Sequence, residues 1–337
     1  MAMISNLAVN YSSSRAPARR LLAAAFSLIA LAPSGCARTE VTVTAQTPAP
    51  PPLTFLAEWG THGHEPGELG RPEWLTTDFT GNAFIADSGT GSIEKFGPTG
   101  HPLLSFNDRV PEDPFRVPVD SGASIYVLSP NANSVFIFSP EGEPFRHLLL
   151  TPLKARQRPE SIAVDVAGDI FVIVTVDKAG GKSDSEQNEI REYNARGRFL
   201  KTLTPALVAG EPFVASSLAA GPDGNLYVLD VSSSRVQRFT LDGDYVAAWG
   251  GTPPGATSGS APAGCGIGAT SKYVFTPDTA IRGVKVWTAD GQLKFTDPLD
   301  NRLQNGTGHF QIAVSNRGEL LVLDVVGTRV LRFRINF

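Results

Sequence analysis

The chain has 337 residues and a mass of 35.8 kDa, with 42% hydrophobic and 18% charged side chains. Its 33 glycines and 26 prolines argue against a helical bundle and are typical of many short strands joined by turns. A mean hydropathy of −0.04 excludes a protein made mostly of membrane spans. The first 35 residues hold three arginines and no acid, so the remainder has 26 basic and 33 acidic residues and a net charge of −7. Such a body lacks the basic surface that nucleic acid requires, and two cysteines are too few for a disulfide scaffold.

Residues 1–35 have the pattern of a secretory signal peptide. Arg15, Arg19 and Arg20 precede an apolar run at residues 21–32. This run of 12 residues is too short to span about 30 Å of hydrocarbon, but it has the length of a signal core. We therefore expect an exported protein.

The signal ends at Ser34-Gly35-Cys36, which resembles a bacterial lipobox. The resemblance implies that Cys36 receives a lipid and becomes the first mature residue. Pro33 stands where the pattern usually has leucine. The alternative is an ordinary secretory signal that is cut near Ala37.

Residues 36–52 are predicted to be a disordered tether. They contain few large apolar side chains and end in a proline cluster, so they cannot bury enough surface to fold. The tether would separate a membrane surface from a folded domain at residues 53–337. With Cys36 lipidated, Cys265 would remain as the free thiol.

The folded domain consists of six sequence repeats. Three residue positions recur in them: a β-branched residue, an aromatic residue three positions later, and an earlier aromatic that one copy replaces with leucine. These positions are Ile93, Val135, Ile190, Val236, Val284 and Val330; Phe96, Phe138, Tyr193, Phe239, Trp287 and Phe333; and Phe84, Tyr126, Phe171, Tyr227, Phe275 and Leu321. The repeats start at residues 72, 114, 159, 215, 263 and 309.

Each repeat contains three short strand patterns, and a fourth follows the glycine that ends the repeat. Four strands in each of six repeats predict an all-β, six-bladed β-propeller with four-stranded antiparallel blades. The chain ends after a third strand, so a strand at residues 53–60 must complete the last blade. That pairing would close the ring and protect its edges.

The sequence AEWGTHGHEPGELGRPEWLTTDFTGNAFIADSGTGSIEKFGPTG, residues 57–100, resembles an NHL repeat. It contains a Trp-Gly pair, a glycine-rich loop, a proline before the inner strand, Gly-Asn before the second strand and a terminal glycine. The resemblance covers residues 53–337 and implies a six-bladed propeller. It implies less about activity, because function depends on the loops that a fold carries.

The first two positions of each inner strand are predicted to surround the mouth of the central channel. Aromatic rings there would supply contact area and arginine would supply directed hydrogen bonds, which suits a partly polar partner. The candidate binding residues are Glu73, Trp74, Phe115, Arg116, Glu160, Ser161, Phe310 and Gln311. The alternative is ordinary packing at the ends of the blades.

Aspartates that end the second strands, including Asp87, are expected to cap turns.

Three histidines form the weaker candidate for a metal or acid–base site. His62 and His64 precede the first repeat, and His309 begins the last, so a closed ring would bring them near Glu73. A His-x-His sequence in a glycine-rich loop is more often a solvated turn. We therefore assign no catalytic residue, metal or cofactor from the sequence.

The favoured hypothesis is an exported, lipid-anchored, monomeric binding or scaffold protein of the cell envelope. Its channel mouth and long loops would bind a protein, a peptide or a glycan, and no nucleic acid. The alternative is a propeller enzyme, a metal-dependent lyase or lactonase-like hydrolase, that uses His62, His64, His309 and Glu73. A third reading is an assembly component without a small-molecule site.

Lipidation is tested by metabolic labelling with a palmitate analogue. We expect the label on the wild-type chain and on Cys265→Ala, and its complete loss in Cys36→Ala, because the thiol of Cys36 is the proposed acceptor. Label retained by Cys36→Ala would show that the anchor is absent or elsewhere.

Overall fold

Short apolar runs between glycine-containing turns form antiparallel sheets in every repeat. The computed structural model describes residues 50–107, 109–111, 116–154, 156–176, 187–207, 213–251, 266–303 and 310–337. The predicted signal and Cys36 lie outside the described residues, as does all of the tether before residue 50. Within the described ranges, no helix is both long enough and apolar enough to cross a bilayer.

Six sheets form the blades of a β-propeller, which confirms the predicted fold. Blade 1 contains β2 (Pro72–Thr77), β3 (Ala83–Asp87), β4 (Ser92–Phe96) and β5 (Pro102–Phe106). Blade 2 contains β6 (Ile125–Ser129), β7 (Ser134–Phe138) and β8 (Pro144–Leu149). Blade 3 contains β9 (Gln157–Val164), β10 (Ile170–Val176), β11 (Gln187–Tyr193) and β12 (Phe199–Leu203).

Blade 4 contains β13 (Ala215–Ala220), β14 (Asn225–Asp230), β15 (Arg235–Thr240) and β16 (Tyr245–Gly250). Blade 5 contains β17 (Gly268–Ala269), β18 (Tyr273–Asp278), β19 (Gly283–Thr288) and β20 (Leu293–Asp297), followed by a 3-10 turn at Leu299–Asn301. Blade 6 contains β21 (Phe310–Ser315), β22 (Glu319–Asp324), β23 (Arg329–Ile335) and β1 (Leu53–Trp59).

Two inner strands are less regular than the repeats predict. In blade 2, the inner position makes isolated bridges from Arg116 to Leu128 and from Val119 to Ile125. Pro118 lies between these bridges and has no N–H to donate, which interrupts the ladder. In blade 5, Gly268 lies opposite Phe275, so the hairpin is one residue shorter than the ungapped alignment assumes.

The N-terminal strand closes the ring as predicted. Strand β1 pairs antiparallel with β23, with Leu53 opposite Ile335 and Trp59 opposite Val330. Leu53 is only 5% exposed and joins the core shared by blades 5 and 6. The Phe55 ring meets the Phe333 ring edge-on at 5.7 Å. The first and last strands of the propeller are therefore held together by an antiparallel ladder and by buried apolar contacts.

The recurring aromatic positions form the cores between blades. Phe84, Phe96, Phe138 and Phe239 are essentially fully buried. One core cluster contains apolar residues from blades 1 and 6, and another contains residues from blades 5 and 6. Among the described residues every core cluster combines two neighbouring blades, so each blade is stabilised by its neighbours.

The topology gives the ring two different faces. We call the loop face the side on which inner strands begin, since it carries the loops between blades and the turns between second and third strands. We call the hairpin face the opposite side, which carries the turns between first and second strands and between third and fourth strands. Strand β1 starts at the hairpin face and ends at the loop face.

Ring closure is tested by deleting residues 53–60. We expect this variant to lose cooperative thermal unfolding, because blade 6 would lose its outer strand and the partner of β23. Deleting residues 37–49 is the control and should leave the unfolding transition unchanged. A folded and cooperative 53–60 deletion variant would contradict the closure.

Candidate binding face at the channel mouth

The loop that leads into the inner strand of blade 1 is held by the aspartate at the end of the second strand. Asp87 is fully buried, and its carboxylate accepts hydrogen bonds from the backbone N–H groups of Gly70 at 2.6 Å and Arg71 at 2.8 Å. The predicted turn-capping role is confirmed in four blades. In each of them a backbone N–H of the following turn donates to the aspartate carboxylate: Gly89 to Asp87 (2.8 Å), Ser232 to Asp230 (3.2 Å), Ala280 to Asp278 (2.9 Å) and Gly327 to Asp324 (3.1 Å).

A stacked tryptophan–arginine pair lies across the channel at the loop face. The guanidinium carbon of Arg116 is 4.1 Å from the centroid of the Trp74 ring, and Arg116 Nε donates to the carbonyl of Glu160 at 3.3 Å. Trp74 also reaches blade 5, where a Cβ on Gly266 would lie 3.4 Å from the tryptophan ring and 2.9 Å from the Ile312 carbonyl. Residues of blades 1, 2, 3 and 5 are therefore linked at the mouth through Trp74 and Arg116, and glycine at position 266 is required for the close approach of blade 5 to Trp74 and Ile312.

The tripeptide Arg-Pro-Glu occurs at the start of the inner strand in blades 1 and 3. In blade 1, Arg71 Nε lies 3.0 Å from Glu73 Oε1, which also accepts from Ser88 Oγ at 2.8 Å. In blade 3, Arg158 Nε lies 2.7 Å from Glu160 Oε1. The arginine side chains are 72% and 55% exposed. The rim thus presents two solvated guanidinium groups that are oriented by carboxylates.

Those two arginines were missed in the sequence analysis, although the sequence carries the signal. Residues 71–73 and 158–160 are identical tripeptides at the same position of two repeats. The first two inner-strand positions include Glu73 and Glu160, but they do not include the arginine that lies two residues before each glutamate.

Of the four remaining predicted mouth residues, three are buried and one lies outside the described residues. Ser161 is fully buried, and its Oγ makes no hydrogen bond within the described ranges. Gln311 is 6% exposed and lies beside Gly266. Phe310 does not reach the mouth surface: it is 1% exposed and packs in the core between blades 5 and 6, where an aromatic ring is stabilised by burial. Phe115 lies outside the described residues, as do Gly264 and Cys265.

Beneath the stacked pair is a cavity of about 170 Å³ lined by all six inner strands. Each blade contributes small or aliphatic side chains to it. Examples are Thr76, Val119, Val164, Ala220, Ala269 and Val314. The described lining contains no carboxylate, imidazole or thiol, so these residues offer no acid–base group and no metal ligand inside the channel.

The histidine candidate is only partly within the described chain. His62 and His64 are exposed, with ring centroids 6.3 Å apart. His309 lies outside the described residues. In the described part of the chain, no group of three histidine, cysteine or acidic side chains is placed to hold a metal ion. Glu73 binds Arg71 and Ser88 as described above.

The tyrosines with the most strongly raised pKa lie near the hairpin face. Burial raises the pKa of the Tyr227 hydroxyl, and the hydrogen bond that it donates to Asp223 at 2.5 Å raises it further. Burial likewise raises the pKa of Tyr126, which donates to Asp120 at 3.0 Å. These hydroxyls are protonated donors that hold the hairpins, a structural role away from the mouth.

Comparisons with known proteins agree on the fold. A streptogramin B lyase structure is 14% identical with a TM-score of 0.56, and the match covers 84% of this chain and 98% of that one. A gluconolactonase from Xanthomonas campestris is 15% identical with a TM-score of 0.55, over 79% and 86% of the two chains. A calcium-binding regucalcin from Agrobacterium tumefaciens is 14% identical with a TM-score of 0.56, over 81% and 92%. These structural neighbours are six-bladed propellers, and at such identity they show the fold alone.

No protein-family model matches the chain, and no curated protein matches it either. The resemblance to NHL repeats is therefore not confirmed by a family match.

The stacked pair predicts a stability effect. We expect Trp74→Ala to lower the free energy of unfolding by about 3–5 kcal/mol, because a buried indole is replaced by a cavity and Arg116 loses its stacking surface. Trp74→Phe keeps an aromatic face and should cost less. Urea unfolding measures both; an unchanged midpoint for Trp74→Ala would contradict the packing described here.

The raised pKa of Tyr227 predicts a stability effect at alkaline pH. The unfolded hydroxyl ionises near pH 10, so the stabilisation is fully present below that pH and is lost as the pH rises towards the higher folded value. Tyr227→Phe should cost about 1 kcal/mol at pH 8 and lose less stability than wild type between pH 8 and pH 11. Equal losses in the two proteins would show that Tyr227 does not contribute.

Proposed function

We propose that the chain is an exported, lipid-anchored propeller of the NHL type whose loop face binds a protein, a peptide or a glycan in the cell envelope. The repeats and the N-terminal pattern support the family and the location. The arrangement of the channel mouth supports the kind of ligand.

The observation that carries the proposal is the closed mouth with its charged rim. Trp74 and Arg116 are 6% and 3% exposed and stack on each other, so they form a buried floor below the rim. Above that floor, Arg71 and Arg158 extend into solvent beside Glu73 and Glu160. A shallow surface with fixed guanidinium groups favours an extended polar partner over a small molecule that needs a deep pocket.

Loop lengths support the same face. The segment between β1 and β2 covers residues 60–71, whereas the turn between β2 and β3 covers residues 78–82. Long loops on one side of a fold whose other connections are short are frequent sites of binding. Aspartates such as Asp87 fix the bases of these loops, so the rim is preorganised for a partner.

The alternative remains a propeller enzyme, since the structural neighbours include a lyase and a gluconolactonase. The exposed His62 and His64 pair is the observation in its favour. Metal analysis of protein prepared without chelators distinguishes the two proposals. Stoichiometric metal that is lost when His62, His64 and His309 are all changed to alanine would favour the enzyme.

The binding proposal is tested by photo-crosslinking in intact cells. A photoreactive residue at Glu68, beside the rim, should capture a partner, and Arg71→Ala with Arg158→Ala should reduce that capture strongly. Arg196→Ala, an exposed arginine near the hairpin face, is the matched control and should have no effect. Capture that is insensitive to the rim substitutions would contradict binding at this face.

A further inference from the structure

The N-terminal side of the folded domain emerges at the hairpin face. Strand β1 begins there, and the residues before it are held in place. The backbone N–H of Asn336 donates to the Pro52 carbonyl at 3.0 Å, and Asn336 Nδ2 donates to the Pro51 carbonyl at 2.7 Å. Any anchor at the N-terminus therefore connects to this side of the ring.

The hairpin face also carries the most exposed apolar side chains. Val166 and Phe79 are 70% and 69% exposed, and each lies in the hairpin between the first and second strands of its blade. Further exposed apolar residues lie at the starts of outer strands, which begin at this same face: Leu103, Phe145, Leu200, Tyr245, Val246 and Leu293. In the described part of the loop-face half, the exposed large apolar residues are Leu149, Leu207, Ile281 and Val326.

Asp78 and Asp165, which begin these two hairpins, are turned inward. Asp78 is 5% exposed and accepts from the backbone N–H groups of Thr80 and Asn82, both at 2.9 Å. Asp165 is 8% exposed and accepts from Ala167 at 2.8 Å and Asp169 at 2.9 Å. These two carboxylates are bonded within their own turns, and Asp169, the third acid of the two hairpins, accepts from the backbone N–H of Ala195 at 3.0 Å, so all three carboxylates are hydrogen-bonded to backbone while Phe79 and Val166 protrude.

We propose that the hairpin face lies against the lipid bilayer, with Phe79 and Val166 entering the headgroup region and the loop face turned away. This inference rests on the proposed lipid anchor at Cys36. The 14 residues from 36 to 49 can span at most about 50 Å, which keeps the ring within reach of the surface. A lipid chain alone gives reversible attachment, and a second apolar contact strengthens it. The same orientation turns the rim with Arg71 and Arg158 away from the bilayer and towards a partner.

The test uses the chain as the exporting cell processes it, purified and placed in vesicles of phosphatidylethanolamine and phosphatidylglycerol with brominated acyl chains. A bimane fluorophore is attached in a Cys265→Ser background at Phe79→Cys or Val166→Cys. The matched controls are Ile281→Cys and Val326→Cys, exposed apolar positions in loop-face turns. We expect loss of fluorescence at positions 79 and 166 and none at 281 and 326.

The outcomes separate the orientation from the anchor, which palmitate-analogue labelling measures on the same samples. A labelled chain without quenching at positions 79 and 166, or with equal quenching at all four positions, overturns the orientation and leaves the anchor intact. A chain that lacks the label but floats with the vesicles and is quenched at 79 and 166 alone refutes the anchor and supports the contact. A chain that neither carries the label nor floats overturns both.

Discussion

The pairing of β1 with β23 is the constraint on which the rest of the molecule depends. A propeller blade has no separate core, so each blade is stable only between two neighbours. Without β1, blade 6 would expose the outer edge of β23 together with the apolar residues that Leu53 and Phe55 cover. Because those residues belong to cores that extend into neighbouring blades, loss of one outer strand weakens the whole ring rather than one sheet.

Closure also determines the geometry of the mouth. With the ring closed, Trp74 of blade 1 meets Gly266 of blade 5 and Arg116 of blade 2, which in turn binds a carbonyl of blade 3. The side chains at the mouth therefore connect blades to one another as well as forming a surface. The buried stacked pair gives a floor, and the exposed arginines at the rim give directed hydrogen-bond donors, so structural and binding roles are divided between neighbouring residues of the same inner strands.

The fold was predictable from the sequence because the same β-branched and aromatic positions recur in every repeat, and all of them except the partly buried Trp287 are buried in the cores between blades. The site was predictable only in part. Strand periodicity places Glu73 and Trp74 on opposite sides of β2, but it does not say that Trp74 would cross the channel or that Phe310 would be buried. Those outcomes depend on the space left by residues of distant blades, such as Gly266. The sequence of one repeat does not contain that information. The proline that interrupts the inner strand of blade 2 was visible in the sequence, and its consequence follows from its missing N–H.

The most direct test of the closed ring is native-state hydrogen exchange of the β1 backbone amides. In a closed ring, β1 is part of the cooperative core, so amides that face β23, such as that of Thr54, should exchange with the same opening free energy as those of the central strand β22. If β1 exchanges orders of magnitude faster than β22 under native conditions, the N-terminal strand does not close the propeller and the account fails.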